Sequence, residues 1–127
     1  MKSPLLRLPL DDASIPWIST HHPGISWHPL EPEDVGAKTK DAVVLIRMSP
    51  GRGYPPHRHL GIEHVLVLQG GYVDELGEHR SGTLLRYAAG SAHSPVACGD
   101  PELPEGAKNR ACILLAIARG GIEELPA

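Results

Sequence analysis

Four residues near the middle of the chain, His57, His59, Glu63 and His93, have the types and the spacing of a transition-metal site. Residues two apart in a strand point to the same face, so His57 and His59 project together while Arg58 turns away. Glu63 follows the turn Leu60-Gly61-Ile62 and opens the next strand, from which it returns to the same pocket. His93 comes shortly after Gly90 and closes the site from another strand. Three neutral imidazoles and one carboxylate suit iron, manganese, cobalt, nickel, copper or zinc. They do not suit calcium, which takes mostly oxygen ligands. A metal that prefers six ligands keeps open positions on such a set, and an open position separates a catalytic centre from a closed structural one. Any one of these histidines alone reads as a solvated turn residue; four residues at this spacing do not.

Around this group, Val65 and Val67 share the face of Glu63 and line an apolar pocket that excludes water. Tyr54, Arg47 and Tyr87 are candidates to orient a polar group of a substrate, and with Glu63 they make the candidate catalytic set. Each also has a structural reading, because Arg and Tyr often snorkel from a sheet wall. His64 alternates with Glu63 and faces away. His21, His22, His28 and His79 fall in loops and read as solvated.

The elements that must hold these residues are short strands. Asp41 to Met48 is strand-like by its β-branched content, and Pro50-Gly51-Arg52-Gly53 breaks it. His64 to Gln69 is a second apolar strand ended by Gly70-Gly71. Tyr72-Val73-Asp74 and the stretch before Gly82 form a hairpin, with Leu76-Gly77-Glu78 near its turn. Thr83 to Tyr87 and Ala111 to Ala118 complete the set, the latter apolar on both faces. Before them, Pro4, Pro9, Pro16, Pro23 and Pro29 recur too often for a helix or a central strand. Ile15 to Ile18 and Gly24 to Trp27 are at most short edge strands. The segment 31–40 is polar and loop-like, and Cys98 to Asn109 is a long loop. Evenly spaced short strands with turn signals between them predict an all-β sandwich or barrel.

Composition agrees. The 127 residues suffice for one domain, and 14 Gly and 13 Pro favour turns over long helices. There is no Phe, so the core must be aliphatic. Net charge is −3 with no block of Lys or Arg, which argues against a nucleic-acid surface. Neither a signal peptide nor an apolar run long enough to span a membrane is readable. Cys98 and Cys112 read as two buried thiols, and the expected compartment is the cytoplasm.

The spacing also carries a family resemblance. Gly51, His57, His59, Glu63 and Gly70 match every fixed position of the first cupin motif, a Gly, five residues, His-x-His, three residues, Glu, six residues and Gly. Gly82, Gly90 and His93 match the second motif, where Ala88 stands for a Pro and Ala97 for an Asn. The chain therefore resembles the cupin (RmlC-like) superfamily. The run Pro56 to Gly70, the segment Tyr72-Val73-Asp74-Glu75 and Gly90-Ser91-Ala92-His93-Ser94-Pro95 resemble its ChrR-type group.

That resemblance implies an all-β, single-domain jelly-roll barrel over residues 31–120. Residues 1–30 become an irregular arm packed on it, and 121–127 a surface tail. It implies one divalent metal per chain on His57, His59, Glu63 and His93, with Fe(II) placed before Zn, Mn, Ni or Cu. The activities it implies are those of a dioxygenase-like or related metal-dependent enzyme acting on a small chelating dicarbonyl or enediol. The alternative is a ChrR-like zinc-binding sensor without catalysis. ChrR-type regulators carry an N-terminal helical zinc-binding domain with a His-x3-Cys-x2-Cys arrangement; none is readable here, so a direct anti-sigma role is not expected. Leu66 and Leu68 face away from the pocket, and the apolar last strand adds to that face. A homodimer is expected to cover it, with a small-molecule ligand, no nucleic acid and no membrane as partners.

Overall fold

The structure, a computed structural model, describes residues 6–31 and 40–126. Most of the polar segment 31–40 and the first residues of the arm, including Pro4, lie outside the described residues. Twelve strands follow one 3₁₀ turn at Asp12–Ser14: β1 Ile18–Ser19, β2 Ile25–Glu31, β3 Ala42–Met48, β4 His57–His59, β5 Glu63–Gln69, β6 Gly71–Asp74, β7 Gly77–Arg80, β8 Leu84–Tyr87, β9 Ala92–His93, β10 Val96–Ala97, β11 Cys112–Ala118 and β12 Ile122–Glu124. All the pairings are antiparallel. A six-stranded sheet runs β1-β2-β3-β11-β5-β8, and two three-stranded sheets run β10-β6-β7 and β12-β4-β9.

The all-β expectation holds, and the sequence's strand periodicity explains why. On β3, β11 and β5, alternate residues enter one core: Val44 and Met48, Cys112, Leu114 and Ala116, Val65 and Val67. At about 1.5–3 kcal/mol per fully buried Val, Leu or Met side chain, this inner face is a large contribution to holding the sheet together. The opposite face of the same strands carries a second cluster, in which Leu10, Ile15 and Trp17 of the N-terminal segment pack on Leu45, Ile113 and Leu115.

Two segments do more than the sequence predicts. Ile25–Glu31 is a full strand, registered along β3 from Ile25 opposite Met48 to Glu31 opposite Val43, with a bulge after Pro29. Pro29 fits because the register slips beside it, sparing the sheet a missing donor. Ile122–Glu124, expected in a surface tail, pairs with β4 and sets Ile122 opposite His59 and Glu124 opposite His57. Two glycines preceding it, Gly120 and Gly121, both at positive φ, turn the chain back onto β4.

Close approach explains Gly61, between His59 and Glu63. A Cβ built there would lie 2.2 Å from the carbonyl oxygen of Arg119, so only glycine lets the β4–β5 turn lie against the β11–β12 connection.

Candidate metal centre

His57 and His59 sit on β4 with Arg58 exposed between them, and both are buried, as strand alternation requires. β4 pairs with β9, placing His93 directly opposite His57. Glu63 opens β5 beside them and is buried too. One ring nitrogen from each of His57, His59 and His93 lies within 4.8 Å of the other two. A Glu63 oxygen lies 3.4 Å from His59 Nε2.

Hydrogen bonding decides which nitrogens are available. His57 Nδ1 is 2.9 Å from the Pro55 carbonyl, which can only accept, so this nitrogen carries the proton. His93 Nδ1 is 2.8 Å from the Asp74 carboxylate and donates for the same reason. The Ser91 hydroxyl gives its proton to the Ala88 carbonyl at 2.6 Å, so at 3.0 Å it accepts from His59 Nδ1. In the neutral form each of the three rings therefore presents a bare Nε2 lone pair.

Those lone pairs have nothing adequate to meet. His57 Nε2 and His93 Nε2 face each other at 2.9 Å. His59 Nε2 is the one buried side-chain polar atom among the described residues that makes no hydrogen bond, the Glu63 oxygen at 3.4 Å being its nearest carboxylate. Burial pushes the pKa of His57 and of His93 below the ordinary histidine value, so both rings favour the neutral form. Neutral nitrogens gathered in a buried place, each with its other nitrogen fixed by a hydrogen bond, are the donor set a divalent transition metal requires. The residues fit such an ion.

A cavity of about 70 Å³ opens beside the histidines, lined by Tyr54, His57, Glu63 and His93 on one side and by Ile46, Met48, Val65 and Leu114 among its apolar residues. The Tyr54 ring meets His57 edge-on at 5.2 Å. Burial, aided by the charges of Glu124 and Glu63, raises the Tyr54 phenol pKa, so it remains a donor at neutral pH.

Other candidates are placed differently. Arg47 is on the opposite face of β3, bound to Asp12 by Nε at 2.9 Å and to Glu105, and it borders a shallow depression of about 690 Å³ on the outside. It takes no part in the site, because residue 47 is out of phase with Ile46 and Met48, which line the cavity. Tyr87 lies over the cluster, 4.5 Å from the His93 ring and 5.0 Å from the His59 ring. Its hydroxyl is committed to Asp74 at 2.6 Å and to Tyr72 at 2.6 Å. His79, expected to be solvated, is buried and bonds Asp74 at 2.8 Å. His64 is exposed, as alternation predicts. Cys112 is fully buried and Cys98 only partly so; both are free thiols.

Sequence reasoning missed Asp74. Burial opposes ionisation of its carboxyl, but hydrogen bonds from Tyr87, His93, His79 and the Leu76 N–H outweigh it and hold the pKa down to about 2. The only signal was its position two residues after Tyr72, on the inward face of a hairpin strand.

Comparison with known proteins places this geometry in context. No curated protein matches the sequence. A chain from the complex of Rhodobacter sphaeroides SigE with the anti-sigma ChrR is 27% identical, with a TM-score of 0.61 over 84% of this chain, which spans 49% of that one. An acetylacetone dioxygenase from Acinetobacter johnsonii superposes over 99% of this chain and 81% of its own, with a TM-score of 0.68 at 11% identity. The polyketide cyclase RemF from Streptomyces resistomycificus covers 100% and 87%, with a TM-score of 0.66 at 20% identity. Likeness at the last two identities shows the fold alone, a cupin barrel. The family model of the ChrR cupin-like domain matches residues 7–103, and the chain belongs to that family.

Proposed function

We propose that this chain is a mononuclear metal enzyme of the dioxygenase or related lyase class, acting on a small chelating dicarbonyl or enediol. The observation that carries the reading is the set of three Nε2 lone pairs beside a small apolar cavity. His57, His59 and His93 hold the ion, and Glu63 adds its carboxylate as a fourth ligand. Bound there, a divalent metal supplies Lewis acidity and, as Fe(II), one-electron chemistry toward dioxygen. The cavity walls Ile46, Met48, Val65 and Leu114 exclude water, and Tyr54 orients a polar oxygen of the substrate. In this reading Glu63, on release from the ion, would accept a proton from the substrate.

Size narrows the substrate. The cavity beside the histidines is small, about 70 Å³, and mostly apolar, which favours a compact substrate.

The second reading is a zinc-binding, ligand-sensing module, and it is favoured by the family match and the 27% identity to a chain of the SigE–ChrR complex. Elemental mass spectrometry of protein purified without tag or chelator, followed by an oxygen-electrode screen of small diketones, separates the two. Iron with substrate-dependent oxygen uptake, lost in His57→Ala and His93→Ala, supports the enzyme. Stoichiometric zinc with no turnover supports the module, and no metal after reconstitution sinks both.

We further propose a homodimer formed through the outer face of the six-stranded sheet. Leu45, Leu115, Leu66 and Leu84 lie opposite one another across β3, β11, β5 and β8 on that face. The N-terminal segment packs on Leu45 and Leu115, while Leu84 is 67% exposed.

A further inference from the structure

We propose that Asp74 is the residue that positions His93 for metal binding, by locking its ring into the form whose bare Nε2 points at the site. This rests on the metal-binding reading above and adds to it a residue from a different sheet. The Asp74 side chain has no exposure. Its Oδ2 accepts from His93 Nδ1 at 2.8 Å and from the Tyr87 hydroxyl at 2.6 Å. Its Oδ1 accepts from His79 Nε2 at 2.8 Å and from the Leu76 backbone N–H at 2.9 Å. Tyr72 supports Tyr87 from behind, hydroxyl to hydroxyl at 2.6 Å. The carboxylate is thus the hub of a buried network joining the β6–β7 hairpin to β8 and β9.

The network works only with an acceptor at both oxygens. Leu76 N–H can only donate, so in an Asp74→Asn variant the amide oxygen must stay on the Oδ1 side. The NH₂ then faces His93 Nδ1, which has to become an acceptor. The His93 proton moves to Nε2 and the lone pair is lost from the site. The substitution changes no volume, so it separates tautomer control from packing. Outer-shell carboxylates on metal-bound histidines typically change affinity 10–100-fold.

Co(II) titration of the full chain, read by its visible d–d bands and by competition with a chelator, tests this. Wild type should bind one equivalent, and Asp74→Asn should bind about 10–100-fold more weakly. Because Asp74 acts through His93, Asp74→Asn placed in a His93→Ala background should cost no more than about twofold further. Equal affinity in wild type and Asp74→Asn, or a full loss persisting without His93, overturns the assignment while leaving the site itself intact. Absence of Co(II) binding by wild type removes the metal reading and this inference together. Histidine ¹⁵N NMR of the zinc-loaded wild type gives a check that no misfolded variant can spoil. A hydrogen-bonded proton on His93 Nδ1 supports the assignment; a proton on Nε2 refutes it.

Discussion

His59 and His64 show how much a single residue's surroundings decide. Both lie at the β4–β5 corner, yet His59 is 1% exposed with an Nε2 that makes no hydrogen bond, whereas His64 faces solvent on the outer side of β5. Removing a bare buried nitrogen removes a ligand, so His59→Ala should weaken zinc or Co(II) binding by at least about a hundredfold, the upper end of what outer-shell partners cost. His64→Ala should leave affinity within about twofold, and a chelator-competition titration reads both. The thiols divide in the same way. Burial pushes the Cys112 pKa up to about 12, and the side chain is inaccessible. An alkylating reagent at neutral pH should therefore modify only Cys98 in the native protein and both cysteines in denaturant, as read by intact-mass spectrometry. At this scale the histidines were legible because strand period two is written in His57-Arg58-His59, and Glu63 because it opens the next strand. Arg47 was misread because its type suggested a substrate contact while its phase, one off from Ile46 and Met48, put it outside. Asp74 and His79 were hidden because their partners lie up to nineteen residues away and only the folded hairpin brings them together.

The β4–β5 turn is the element on which the site depends most. Its three residues separate two histidines from Glu63, and Gly61 lies against the Arg119 carbonyl with no room for a side chain. Gly61→Ala forces backbone apart, a strain comparable to overpacking a core at about 1–3 kcal/mol. The melting temperature should fall by roughly 4–12 °C, and metal affinity should fall with it because His59 and Glu63 move relative to one another. Gly106→Ala is the matched control: a Cβ there meets nothing within 4 Å, and its melting temperature should stay near that of wild type. Calorimetry with and without zinc distinguishes the two. Strand existence was readable from the β-branched run that became Ala42–Met48 and from the apolar run that became Cys112–Ala118. β12 was not, because Ile122-Glu123-Glu124 has one apolar residue and becomes a strand only by pairing with β4. Local propensity is silent on a strand whose stability comes from its partner.

At the scale of the whole molecule, the two faces of the six-stranded sheet differ in how they are closed. The inner face is covered by the barrel itself and brings Glu63 of β5 toward the histidines that the β12-β4-β9 sheet carries. On the outer face the described part of the N-terminal segment packs over one end, where Leu10, Ile15 and Trp17 meet Leu45 and Ile113. From Leu115, at the margin of that cluster, the leucine row continues through Leu66 to Leu84, with exposure highest at the edge strand β8. An aliphatic row whose exposure rises toward a sheet edge invites association, and Arg86 is the charge that β8 sets on the same face. Arg86, opposite His64 on the same face, marks where the apolar row gives way to polar residues. A second copy laid sheet to sheet across this row would bury it without touching the cavity, which opens from the other face. Light scattering coupled to size exclusion at micromolar concentration should therefore give the mass of a dimer, and Leu66→Lys with Leu84→Lys should give a monomer with its zinc affinity intact. A monomeric wild type would show that the N-terminal segment alone is enough cover. A dimer that persists in the double variant would move the interface to another part of the surface.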